Sequence, residues 1–124
     1  PVTGYDLASF VTEPPIPHLR ILHRRLPWYV DVAASNQVGT TLQDLFDTLH
    51  AFLHTPIYRS DLYNSAVDDE QRAKVIRAYR ERCQGDATEA AVGVKRVDFL
   101  MRDCIFLGLA KGRDGTWDMR TRKA

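Results

Sequence analysis

The chain has 124 residues, 44% of them hydrophobic and 27% charged, the proportions of one ordinary globular domain that needs neither a metal nor a disulfide to fold. Its 17 lysines and arginines face 16 aspartates and glutamates, so no net field draws it to nucleic acid or to an anionic membrane. No apolar run approaches the roughly 20 residues of a membrane span, and no signal peptide is visible, which predicts an intracellular, cytoplasmic protein.

In chain order, residues 1–18 read as an extended arm. Pro14, Pro15 and Pro17 oppose both helix and strand pairing, so this arm either straps across the domain or trails from it. Alternation at Leu19, Ile21 and His23, and again at Trp28, Val30 and Val32, predicts two half-buried strands joined through Arg25–Pro27. Leu42, Leu45, Phe46, Leu49, Phe52 and Leu53 follow helical spacing and predict an amphipathic helix over 41–54, with Thr40 and Gln43 in the pattern of a capping box and Pro56 beyond its end. A short helical turn is expected within 57–66. A second main helix spans 68–83, with Ile76, Tyr79 and Cys83 on its apolar face, Val75 beside them and Gly85 closing it.

Residues 84–93 read as a loop. Val97, Phe99 and Met101 alternate with Arg96, Asp98 and Leu100 as in a strand. The apolar run 104–110 reads as a central strand. Asp114-Gly115 is a hairpin signal, with Trp117 and Met119 on one face of a last strand. Arg113, Arg120, Arg122 and Lys123 form a basic, solvated tail. The expected fold is α+β: a small antiparallel sheet of about five strands with two main helices packed on one face, forming a single domain over 19–124.

Several segments resemble a fungal domain-of-unknown-function family numbered 6699. They are Leu26-Pro27-Trp28, Thr41-Leu42, Asp44-Leu45, Pro56-Ile57, Ala78-Tyr79, Arg82, the run from Val94 through Arg96-Val97-Asp98 to Leu100, and Phe106-Leu107-Gly108-Leu109. The resemblance covers most of 19–109. It implies a compact α+β domain of fungal origin and carries no established activity.

Arg96 and Asp98, two apart on the expected strand, would share a sheet face and form a polar network, with Arg82, Tyr79 and Trp28 as further candidates. That network either holds the fold or binds a ligand. Asp47, His50 and His54 fall on one helix flank with offsets that permit metal ligation, but one straight helix seldom aims three donors at one ion, so a solvated face is the expectation and no cofactor is implied. His18 and His23 read as ordinary histidines. Cys83 and Cys104 show no metal spacing or catalytic signature and read as buried thiols. Pro1 as a catalytic amine is disfavoured, because the segment after it lacks the pattern of a buried strand.

No phosphate loop, dinucleotide motif or serine elbow is present. The sequence therefore points to a noncatalytic protein-interaction or regulatory module, with homo-oligomerisation possible. The competing class is a small enzyme or metabolite binder built on Arg96, Asp98 and a histidine.

Overall fold

A computed structural model of the chain describes residues 4–124; the Pro1 amine lies outside them. The elements are α1 (Gly4–Leu7), β1 (His18–Leu22), β2 (Val30–Ala33), α2 (Leu42–Leu53), α3 (Arg59–Leu62), α4 (Asp69–Arg82), α5 (Ala87–Val92), a 3₁₀ turn (Arg96–Leu100), β3 (Ile105–Lys111) and β4 (Trp117–Arg122). The chain divides into two compact units. The first runs up to Phe52 and adds Leu107–Arg120; the second is Leu53–Phe106 with Thr121–Ala124.

The fold is mixed α+β with one sheet, ordered β2-β1-β4-β3. Among the described residues it has four strands rather than about five. It is also not purely antiparallel: β1 pairs antiparallel with β2 but parallel with β4, through Ile21 opposite Trp117 and Leu22 opposite Asp118. The run after Cys104 was expected at the sheet centre and instead forms an edge strand, none of whose residues is fully buried. Apolar composition alone does not distinguish a central strand from a half-covered edge.

In the first unit, period-two alternation works as the sequence predicts. Leu19 and Ile21 of β1 and Val30 and Val32 of β2 are buried, while Arg20 and Asp31, register partners on the opposite face, form an exposed ion pair at 2.9 Å. Leu45 and Leu49 supply the buried stripe of α2. The box that starts α2 is one residue later than expected: the Asp44 amide donates to Thr41 Oγ1 at 3.2 Å, and the Thr41 amide donates to Asp44 Oδ2 at 3.1 Å.

The segment before β1 is bonded in, not trailing. Val11 donates to the Thr40 carbonyl at 2.9 Å, and Thr40 donates to the Ile16 carbonyl at 2.8 Å. Gly39 is required where they meet, since a Cβ there would lie 2.6 Å from Pro15 Cβ. The hairpin turn is as expected, with Asp114 and Gly115 both at positive φ, 57° and 75°.

In the second unit, Asp68 caps α4 by accepting from the Gln71 amide at 2.7 Å. Val75, expected only beside the apolar face, is its fully buried centre, whereas Ile76 and Tyr79 are half-buried. The expected loop 84–93 contains α5, capped by Asp86 accepting from the Glu89 amide at 3.0 Å. The expected strand around Arg96–Met101 is the 3₁₀ turn. Phe99 and Leu100, adjacent in sequence, are both buried, which strand alternation forbids. Cys83 is buried but Cys104 is exposed, and both are free thiols. Among the described residues no helix is long and apolar enough to cross a membrane.

Candidate functional site

Asp98 lies in a polar network with Arg82. Asp98 is 3% exposed and starts the 3₁₀ turn by accepting from the Lys95 amide at 2.8 Å. Arg82, on the last turn of α4, approaches it as a fork: Nε donates to Oδ1 at 2.8 Å and Nη2 to Oδ2 at 2.9 Å. The same guanidinium donates to Glu89 Oε1 at 2.8 Å and to the Gly93 carbonyl at 3.1 Å. Lys95 Nζ also donates to Glu89 Oε1.

Two groups in this network are shifted. The hydrogen bonds it donates to Asp98 hold the Arg82 guanidinium above its ordinary pKa, against the cost of partial burial. The Lys95 hydrogen bond holds the Glu89 carboxyl below its ordinary value, against desolvation and with help from the charges of Lys95 and Arg82.

The structure therefore brings Arg82, Asp98 and Tyr79 together, with the guanidinium carbon 5.8 Å from the Tyr79 ring centroid. It adds Glu89 and Lys95, which sequence reading missed. The signal for Glu89 was present as Asp86-Ala-Thr-Glu89, an N-cap followed by helix-forming residues. The expected geometry at Arg96 is corrected, because a 3₁₀ turn does not place residues two apart on one face; its backbone N–H donates to the Thr55 carbonyl at 3.0 Å. Trp28 belongs to the first unit, where its ring meets Phe52 edge-on at 6.3 Å.

Asp47 is exposed and accepts a hydrogen bond from Gln43 at 2.8 Å, and His50 and His54 are exposed. Among the described residues no group of three His, Cys, Asp or Glu side chains is arranged to hold a metal ion.

Beside the network lies a groove of about 370 Å3, floored by Leu62, Ile76 and Tyr79 and edged by Ile57, Tyr63 and Val92. Its rim carries exposed apolar surface of the second unit: Val92 is 48% exposed and Tyr63 46%. Every wall is tied in place. The Ile57 amide donates to the Val94 carbonyl at 3.1 Å. Arg72 of α4 donates to the Leu62 carbonyl at 3.1 Å and to the Val67 carbonyl at 2.9 Å, fixing the α3 wall. Tyr79 Oη donates to the Ala90 carbonyl, and Arg82 holds the Gly93 carbonyl.

Gly93 sits at φ 98° and ψ −167°, a region open essentially to glycine alone. The network is thus the frame of the groove. Asp98 has both oxygens engaged and little exposed surface, which suits it to positioning rather than to proton transfer.

A wider groove of about 990 Å3 in the first unit is lined by Arg20, Lys111, Arg113, Asp114 and Asp118, with Leu22 and Tyr29 as its main apolar surface. Its charges are of both signs and already partly paired, so it offers little desolvation gain. The smaller groove offers apolar floor, aromatic rim and fixed walls together, the combination that concentrates binding energy.

A family model described as a family of unknown function, DUF6699, matches residues 2–115. The chain belongs to this family. The matched span includes the whole Arg82–Asp98 network and every residue of the second-unit groove, and stops before β4. No curated protein and no solved structure matches the chain.

Proposed function

We propose that this DUF6699 chain is a noncatalytic protein-interaction module that docks a partner segment in the groove of the second unit. The observation that carries this reading is the exposure of Tyr63 and Val92 around an apolar floor whose walls are already hydrogen-bonded into place. Exposed large apolar side chains grouped at a groove mark interaction sites, and fixed walls lower the entropy that binding must overcome. The reading takes residues 19–124 as one module with 1–18 as its arm, and places it in the cytoplasm of a fungal cell. The partner is a protein rather than nucleic acid, since the chain has no basic excess.

The test is selection of phage-displayed random dodecamers on the immobilised chain, repeated with Val92→Glu and Ile76→Glu. Enriched peptides that bind the parent chain in the micromolar range and lose at least tenfold in affinity with either substitution support the reading. Failure to enrich any peptide, or enrichment indifferent to both substitutions, contradicts it. The competing enzyme or metabolite site at Arg96 and Asp98 with a histidine gains no support from a carboxylate whose oxygens are committed to Arg82 and the Lys95 amide.

A further inference from the structure

The groove that the interaction reading relies on has a distinctive electrostatic character. Among its lining residues Arg59 alone is charged. Its guanidinium carbon lies 4.4 Å from the Tyr63 ring centroid, and no carboxylate among the described residues comes within salt-bridge distance of it. Three carboxylates of the second unit have other partners. Asp61 accepts from the Tyr58 amide at 2.8 Å, Asp69 pairs with Arg72 at 2.6 Å, and Glu89 is shared by Arg82 and Lys95.

The C-terminal half of α4 carries Arg77, Arg80 and Arg82 with one carboxylate, Glu81, among them. Arg80 lies one turn beyond Ile76, on the same helix flank, and is exposed. Tyr63 is stacked by a second cation as well, with the Arg72 guanidinium carbon 4.7 Å from its centroid. Arg72 is already paired with Asp69, so the cation this groove leaves without a carboxylate among the described residues is Arg59 on its lining.

We infer that the groove takes an acidic peptide segment of a partner protein, its apolar side chains on the floor formed by Leu62, Ile76 and Tyr79 and its carboxylates against Arg59 and the C-terminal half of α4. This inference rests on the interaction reading above and adds the chemistry of the partner. A planar guanidinium that is stacked on an aromatic ring keeps its edge donors available for a carboxylate. Such a pair at a rim adds selectivity more than affinity, because it disfavours basic partners.

The experiment is fluorescence anisotropy with the enriched dodecamers, each made in its native form and with every Asp and Glu replaced by Asn and Gln. They are titrated into the parent chain, Arg59→Glu, Val92→Glu and, as a control for general charge, Arg113→Glu in the first unit. Circular dichroism melts confirm that each variant is folded.

The expected result is a set of net-negative peptides that bind tenfold or more weakly when amidated or when Arg59 is reversed. They weaken further with added salt and are unaffected by Arg113→Glu. Neutral or basic peptides that still require Val92 would keep the docking site and overturn the acidic partner. An equal loss with Arg113→Glu would also overturn it, by showing attraction to overall charge. Binding indifferent to Val92→Glu would remove the groove itself.

Discussion

Arg82 makes four hydrogen bonds with one guanidinium, to Asp98, to Glu89 and to the Gly93 carbonyl. Removing it leaves Asp98, only 3% exposed, with a buried charge. Breaking such a pair from one side costs roughly 3–5 kcal/mol. Arg82→Met should therefore destabilise strongly, Asp98→Asn less, and the double variant by clearly less than their sum. Denaturant melts of the three variants check this; additive losses would mean the fork contributes no coupling.

Glu89 gives the same network a pH dependence. Its carboxyl is held below its ordinary range by the Lys95 hydrogen bond, opposed by desolvation and helped by the Lys95 and Arg82 charges. Its contribution is therefore present above the unfolded-state value and lost as pH falls through the lower folded value. Glu89→Gln should flatten the acid limb of the stability profile and leave the neutral-to-alkaline region with the same slope. An unchanged acid limb would contradict the pairing.

At the scale of the element, α2 was the most legible segment, because its apolar stripe depends only on helical periodicity. Leu45→Ala and Leu49→Ala should each cost roughly 2–5 kcal/mol, and Thr41→Ala, which removes the cap, about 1 kcal/mol, all readable in denaturant melts. The elements that frame the groove were less legible for a specific reason. Val97, Phe99 and Met101 imitate strand alternation, but the 3₁₀ turn is set by Asp98 reaching the Lys95 amide and by distant Arg82. A period-two pattern over five residues cannot reveal either bond. Likewise β3 reads as a central strand because its composition is apolar, while its place at the edge is decided by which strand β4 joins. Tyr79 and Arg82 emerged from the sequence as candidates, but their task of holding 90–93 required coordinates. Gly93→Ala tests that task. The strained backbone should cost roughly 1–3 kcal/mol and weaken binding of enriched peptides, whereas Gly85→Ala, at φ 78° and away from the groove lining, should cost stability alone.

For the whole molecule, a chain of 124 residues lies in the size range of two-state domains, so we expect urea unfolding followed by tryptophan fluorescence and by far-UV dichroism to give coincident transitions. Chelator should leave the melting temperature unchanged; a large zinc-reversible drop would promote Asp47, His50 and His54 instead.

The central claim is that the second-unit groove is where a partner docks, and backbone amide chemical-shift mapping with an enriched peptide tests it most directly. The account predicts shifts concentrated at 57–63, 76–79 and 92–94. Shifts centred on 111–118 in the first-unit groove, or scattered without a focus, would contradict it.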